Sequence, residues 1–484
     1  MYGIKNYPMN MRIQVLLFLL FAWKQSLSQE IFASEIHKAR FLISQHQQMT
    51  DIPGVQVAVM IEGKLVWSEG LGFSNLKEKK EVTVETKFRI ASVSKSVTSM
   101  MMGKLVEKKL LDLDADIRTY VPEFPKKSYS FTTRQLAASV AGIRHYNSTD
   151  PRYRSEHFPS VIDALDVFKD DPMSFKPNTE YLYSSYGWVL LSAAMERAAD
   201  LSFFELMEKS WQELEMTNTS FDYPDKEITN KSTFYVHDKN GREVAPEENR
   251  SYMYAGGGYL STAEDLVKMG NQLITDQYFS AETRRILTSS HVLENGDSTY
   301  YGLGWESGQS RLGVPVIFHG GSMQSARSHL VIYPEQHVVF AYLANTGDQV
   351  FFNDREAQSV AEIFVKKIMD RKRHDDLDVL EGDWKIETIS LRDKKTIGRL
   401  SISNGQDTIT FKRSKKEKTF PIIVVGKYEE YHHLIAVSPM FIDFYFKLDG
   451  DKLEGTWLHD FNVKGVPESD PYWQERKIVG KRVE

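Results

Sequence analysis

Phe88-Arg89-Ile90-Ala91-Ser92-Val93-Ser94-Lys95-Ser96 runs without a break into Val97-Thr98-Ser99-Met100-Met101-Met102-Gly103-Lys104-Leu105-Val106. After Ser92 the apolar residues Val93, Val97, Met100, Met101 and Leu105 recur at helical spacing, which predicts a helix beginning at Ser92. A helix N-terminus offers unpaired backbone N–H groups and a partial positive charge, and both stabilise an oxyanion formed beside it. Lys95 lies three residues on and shares a face of the first turn with Ser92. A serine hydroxyl is a weak nucleophile until a neighbour takes its proton, and an amine can do so once burial or nearby charge lowers its pKa. Ser92 and Lys95 are therefore a candidate nucleophile and base. The spacing alone is common: Ser74-Asn75-Leu76-Lys77 repeats it in a Lys/Glu-rich turn, and serine is a preferred helix cap. Context has to separate the two.

The 484 residues allow two or three domains with a sizeable core. A net charge of −6, with both signs interspersed, leaves no basic stripe for nucleic acid. The basic cluster at 412–418 reads as a hairpin turn. Lys5 and Arg12 precede the apolar run Val15 to Trp23, and Ser26-Leu27-Ser28 supplies small residues at cleavage spacing. Residues 1–28 are thus expected to be a secretory signal, with the mature chain periplasmic or extracellular; the run is too short for a permanent membrane span. There are no cysteines, so disulfides and thioether lipids are excluded. The histidines form no His-Glu-x-x-His type cluster, and no metal or cofactor is expected.

Taken in order, the pattern predicts a helix over 31–48 and a hairpin in which Val55, Val57, Val59 and Ile61 alternate before Leu65-Val66-Trp67. Helical segments follow the Ser92 helix at 133–141, 160–168, 185–199 and 203–214. Asn240-Gly241 marks a hairpin turn, and Ala255-Gly256-Gly257-Gly258 a bend beside a cleft. A helix starts after Ser261-Thr262-Ala263-Glu264-Asp265. Strands return at 300–305, 314–318, 329–333 and 338–343, before a helix over 355–371. Strands at both ends with helices between imply an α/β (α+β) fold: one antiparallel sheet flanked by the terminal helices, with an inserted helical lobe and a ligand cleft between the lobes. Short strands then dominate. Residues 29–374 read as a catalytic domain and 375–484 as an independently folding β-barrel or sandwich, lipocalin-like, not needed for chemistry.

Two further stretches give Ser92 its context. Tyr183-Ser184-Ser185 precedes a helix, and His319-Gly320-Gly321-Ser322 ends a late strand. With Ser92-x-x-Lys95, and in this order, they resemble the serine β-lactamase-like family of class C β-lactamases, D-alanyl-D-alanine peptidases and esterases, which carries Ser-x-x-Lys, Tyr-x-Asn and Lys/His-x-Gly. Ile52-Pro53-Gly54-Val55, Trp67-Ser68-Glu69-Gly70-Leu71-Gly72, Gly142-Ile143-Arg144-His145-Tyr146 and Ala255-Gly256-Gly257-Gly258 are similar to its mitochondrial branch. The resemblance covers about 35–367 and leaves out the C-terminal β-region.

The resemblance implies a β-lactamase/transpeptidase-like fold with Ser92 as acyl-forming nucleophile, Lys95 as its proton partner and Tyr183 as proton relay. It implies an oxyanion hole from the Ser92 and Ser322 N–H groups, and substrate contacts at Ser185, His319, Gly320 and Gly321. A phenolate at Tyr183 would need a cation such as Lys95 beside it. Ser185 stands where the family has Asn, and Ser139 and Ala141 where it has His-x-Ser. The expected activity is serine hydrolysis of a peptide, amide or ester. The alternative is a penicillin-binding-like receptor without efficient turnover. The expected partner is a small-molecule or peptide substrate, with no obligate protein partner inferred. His319, where many relatives have lysine, is expected to hold a substrate carboxylate by charge only on the acid side of its ordinary pKa near 6.5.

Overall fold

The computed structural model describes residues 30–147, 150, 156–238, 241–347, 352–369, 380–389, 395–403, 407–413, 416–428, 431–437, 441–458 and 476–483. The signal-peptide expectation at 1–28 and the boundary at 374/375 lie outside them.

The described residues begin with helix α1 (Ala33–Thr50) and strands β1 (Gly54–Ile61), β2 (Lys64–Asn75), β3 (Lys80–Glu81) and β4 (Phe88–Arg89). Helix α2 (Val93–Glu107) follows, with α3 (Thr133–Ala137), α4 (Ser185–Ala199), α5 (Phe203–Glu213) and β5 (Ser220–Phe221). Then come β6 (Tyr235–Asp238), β7 (Gly241–Val244), α6 (Tyr254–Gly257), β8 (Tyr259–Ser261), α7 (Ala263–Ile274) and α8 (Ala281–Thr288). Strands β9 (Glu306–Gln309), β10 (Pro315–Met323), β11 (Ala326–Tyr333) and β12 (Val338–Ala344) lead to α9 (Asp354–Met369).

The main sheet runs β3-β2-β1-β12-β11-β10-β9. Its centre is the antiparallel pair β1 and β12, from Val55 opposite Ala344 to Ile61 opposite Val338, so the early and late strands close into one sheet. All eight residues of β1 are buried. Val55, Val57, Val59 and Ile61 face the core shared with α1 and α9, while Ala58 and Met60 face the larger core under the helical lobe. Alternating faces of a pleated strand thus serve two hydrophobic layers at once. Gln56, also buried, accepts from the Ala263 N–H at 2.6 Å and fixes the start of α7 on the sheet.

Several described segments differ from the sequence expectation, among them 160–168, which holds only the short 3-10 turn Asp163–Val167. The helix over 133–141 stops at Ala137, because Ser139 and Gly142 take positive φ (58° and 78°) and turn the chain toward the cleft. Residues 300–305 are not a strand: Tyr300 (φ 55°) and Gly304 (φ 91°) bend the backbone, and the edge strand begins at Glu306. The glycine-rich bend at 255–258 is the short helix α6.

The C-terminal strands are β13 (Gly382–Ile389), β14 (Lys395–Ile402), β15 (Thr408–Arg413), β16 (Lys416–Tyr428), β17 (Tyr431–Ala436), β18 (Ile442–Asp449), β19 (Lys452–Leu458) and β20 (Arg476–Arg482). They form a closed barrel, sealed by β20 pairing with both β13 and β19. Trp384, Leu400, Leu434, Phe444, Phe446 and Ile478 belong to the barrel's own core. Ile423, Val425, Ile435, Val437 and Phe441 instead pack into the core that contains α1, the back of the main sheet and α9. The barrel is therefore built onto the rest of the protein, not an appendage beside it.

Candidate active site

The turn before α2 is held from several directions. Arg89, buried, pairs with Asp222 at 2.7 Å and lies 4.2 Å over the Phe234 ring. The Ile90 carbonyl accepts from the Ser328 hydroxyl at 2.6 Å. Ala91 takes φ 44°, the left-handed region that costs a non-glycine residue energy, and such strain persists only where the surroundings fix it. Ser92 then sits at the N-cap in helical conformation, and its side chain makes no capping hydrogen bond. Its hydroxyl is free of the structural task that most N-cap serines perform.

Lys95 is fully buried one turn below. Its ammonium donates to Ser92 Oγ at 3.3 Å, Ser185 Oγ at 3.0 Å and the Gly256 carbonyl at 2.6 Å. All three acceptors are neutral. Burial without a counter-carboxylate in contact lowers the Lys95 pKa to about 7. Ser185, expected to touch substrate, lies under the site as a lysine partner and is itself buried. It is placed there by α4, whose cap Ser184 accepts from the Gly187 N–H and donates to the Arg144 carbonyl. A side chain at Gly256 would press on Ser185 at 3.3 Å, which explains the glycine where the Lys95 acceptor must come close.

The Tyr183 ring lies 4.7 Å from the Lys95 ammonium. Burial pushes its pKa well above 10, and proximity to the Ser92 hydroxyl offsets this only in part. Tyr183 is therefore a phenol at neutral pH, which corrects the phenolate expectation: the group that loses its proton near neutrality is Lys95.

His319 is buried, its Nδ1 2.7 Å from the Gly320 carbonyl and its Nε2 3.2 Å from the Tyr301 hydroxyl. A carbonyl only accepts, so the proton sits on Nδ1 and Nε2 accepts from Tyr301. Burial, helped by the charge of Lys95, lowers the ring's pKa to about 4. The expectation that His319 gains charge just below pH 6.5 is overturned, because desolvation removes that titration from the physiological range.

The two glycines after it have separate reasons. A Cβ on Gly320 would fall 2.5 Å from the Asp354 carboxylate, and one on Gly321 would fall 2.1 Å from Ser328 Oγ and 2.5 Å from the Ile90 carbonyl. Bare backbone here lets β10 lie against the Ser92 turn.

A cleft of about 470 Å³ opens over these groups, lined by Ser92, Tyr183, His319, Gly320, Gly321 and Ser322 together with Glu306, Arg327, His329, Phe352, Asn353 and Asp354. The sequence reading missed the latter group. It also gave no role to His145, whose Nδ1 accepts the Ser185 N–H at 3.0 Å and whose ring meets Tyr183 edge-on. Burial first, then Lys95 and Arg144, lower the His145 pKa to about 4. Its position inside Gly142-Ile143-Arg144-His145-Tyr146 was the available signal. Among the described residues no His, Asp and Glu side chains converge as metal ligands, and no helix is long and apolar enough to cross a membrane.

Residues 40–363 match the family model described as beta-lactamase. The chain belongs to the beta-lactamase family. The human mitochondrial serine beta-lactamase-like protein LACTB is 34% identical over 312 residues, covering 50% of this chain and 57% of that protein. Protein flp of Staphylococcus aureus (strain N315) is 24% identical over 348 residues, covering 69% and 66%. The chain spans little more than half the length of the LACTB proteins it matches. Among solved structures, the octameric penicillin-binding protein homologue from Pyrococcus abyssi has a TM-score of 0.59 at 20% identity and covers 92% of this chain and 99% of its own. A class C beta-lactamase has a TM-score of 0.58 at 17% identity, covering 70% and 97%. These likenesses establish the α/β fold expected from the sequence, with its all-β C-terminal barrel.

Proposed function

We propose that this beta-lactamase-family protein is a serine hydrolase that cleaves an ester, amide or peptide through an acyl-enzyme on Ser92. The observation that supports this reading is the buried Lys95 amine, in contact with Ser92 Oγ and surrounded by neutral acceptors. With a pKa of about 7 it is largely unprotonated on the alkaline side of neutrality and can take the serine proton.

As Ser92 Oγ bonds to the substrate carbonyl carbon, its proton passes to Lys95 Nζ, and the carbonyl oxygen becomes an oxyanion at the N-terminus of α2. The Ser92 and Ser322 N–H groups would hold that charge. Collapse breaks the bond to the leaving group, which takes the proton from Lys95 through the Tyr183 hydroxyl. A water then attacks the acyl-enzyme, its proton passing through Tyr183 to Lys95 Nζ; as the acyl–Oγ bond breaks, Lys95 returns that proton to Ser92 Oγ and the acid product leaves. Tyr183 can relay because it stays protonated: it donates one proton as it accepts another.

The test is intact-mass spectrometry after treatment with an alkyl fluorophosphonate, alongside turnover of a p-nitrophenyl ester. One adduct in the wild type, none in Ser92→Ala, and multiple ester turnovers support the hydrolase. Acylation without turnover would instead make the protein a penicillin-binding-like receptor. An adduct that persists in Ser92→Ala would overturn the assignment.

A further inference from the structure

The stretch of the cleft lining from Phe352 to Asp354 is held from outside the catalytic region. Phe352 lines the cleft next to Asn353 and Asp354. Its ring stacks on Tyr342 at 3.9 Å and 12°, and meets His46 edge-on at 5.3 Å. The His329 ring lies tilted at 5.7 Å, and the fourth ring around it is Phe441, edge-on at 5.8 Å, which comes from the barrel immediately before β18. Phe441 also meets His46 edge-on at 5.7 Å, so the barrel closes an aromatic cage around a cleft residue.

Backbone bonding carries that position inward. The Phe352 carbonyl accepts from His329 Nε2 at 3.0 Å, and His329 Nδ1 lies 2.7 Å from the Asp354 carboxylate. Both ring nitrogens thus face oxygen atoms of the 352–354 stretch. Asp354 in turn lies against the bare backbone of Gly320, in the strand that borders Ser92. Asp354 also begins α9, and the barrel grips this helix further along. Ser359 donates to the Asp443 carboxylate at 3.2 Å, and Lys366 donates to His433 at 2.7 Å.

We propose that Phe441 is a positioning residue for the cleft: the docked barrel, through Phe441, sets the wall from Phe352 to Asp354 and so determines how well substrates long enough to reach that wall are bound. This rests on the hydrolase reading only where turnover is the readout.

The experiment uses the full chain with Phe441→Ala, Phe441→Leu and, as a comparison in the same interface, Val425→Ala, which thins the docking core at a side chain that is not one of the rings around Phe352. In Phe441→Ala, KM for p-nitrophenyl decanoate should rise about fivefold, while kcat for p-nitrophenyl acetate stays within about twofold. Phe441→Leu keeps the bulk but not the flat ring edge and should fall between; it carries the test if the alanine variant does not fold. Val425→Ala should leave the ratio of the two KM values unchanged. A second readout needs no turnover: the His329 ring proton, assigned by its loss in His329→Gln, should change chemical shift in Phe441→Ala and not in Val425→Ala. An unmoved His329 signal in both Phe441 variants, or equal effects from Val425→Ala, would overturn the proposal. A shifted signal in a protein that hydrolyses neither ester would leave the positioning role standing and remove the hydrolase reading.

Discussion

Lys95 and His319 show how much of a residue's chemistry is set by surroundings that its own stretch of sequence does not contain. Both lie in recognisable motifs, and the pairing of Ser92 with Lys95 follows from helical spacing. Their protonation follows from burial. Lys95 is enclosed by α6 and α4, and His319 by Tyr301, none of them near in sequence. For Lys95 the neutral form is the active one, so kcat/KM for a neutral ester should rise with pH through an apparent pKa of about 7 and level off above it. His319 is neutral from well below that point, with a pKa of about 4. A matched carboxylate and methyl-ester substrate pair should therefore keep the same ratio of kcat/KM between pH 6 and pH 8. A carboxylate preference that grows toward pH 6 would mean that His319 is charged there and less desolvated than its burial implies.

At the scale of the element, what was legible was the part set by local pattern: the alternation in β1, the helix over Ser185–Ala199, and the strands after β13. Failures cluster where a few backbone angles override the pattern. Residues 300–305 read as a strand, yet the turn at Tyr300 delivers Tyr301 to His319. The His-Gly-Gly stretch was readable as a motif, but its second reason is steric. Gly321 faces the Ile90 carbonyl and Ser328 Oγ, the same pair whose hydrogen bond fixes the Ser92 turn. Gly321→Ala should force these apart and cost about 1–3 kcal/mol of stability, as overpacking does. Its effect on chemistry should exceed its effect on binding, with kcat for an ester falling at least about tenfold as the Ser92 turn moves relative to Lys95. Thermal unfolding and steady-state kinetics on the one variant separate the two; wild-type kcat with lowered stability would show that β10 does not hold the nucleophile.

The whole molecule depends on a signal that the sequence carried but the strand pattern alone did not interpret. Ile422-Ile423-Val424-Val425 and Leu434-Ile435-Ala436-Val437 are apolar on both faces, unlike β14, whose burial alternates. A barrel strand needs one apolar face for its interior, and a second marks a surface that something covers. That cover is α1, α9 and the back of the main sheet. At its centre is a buried charge cluster. Arg311 pairs with Asp443 at 2.5 Å, and Asp443 accepts from His433 at 2.8 Å; His433 accepts from Lys366 and stacks on Tyr445 at 4.2 Å, and Glu362 accepts from Tyr333. With Lys366 donating to Nδ1 and Nε2–H directed at Asp443, His433 is neutral. Burial first, then the charge of Lys366, lower its pKa to about 3 against the pull of Asp443. The unfolded ring binds its proton near pH 6.5, so between there and about 3 the unfolded state holds more protons and stability falls as pH falls. Asp443, held below the usual carboxylate range by Arg311 and His433 despite its burial, adds a loss in the same direction below about pH 4. Glutamine at 433 can accept from Lys366 and donate to Asp443 without titrating. His433→Gln should therefore keep the barrel docked and lower the dependence of unfolding free energy on pH between 5 and 6 by up to one proton, about 1.4 kcal/mol per pH unit at the limit. His319 and His145 contribute to the same slope in both proteins, so the difference between them isolates position 433. Equal slopes in wild type and His433→Gln would mean that His433 is already protonated in the folded protein and that the barrel is seated by an ion pair with Asp443, not by a neutral ring.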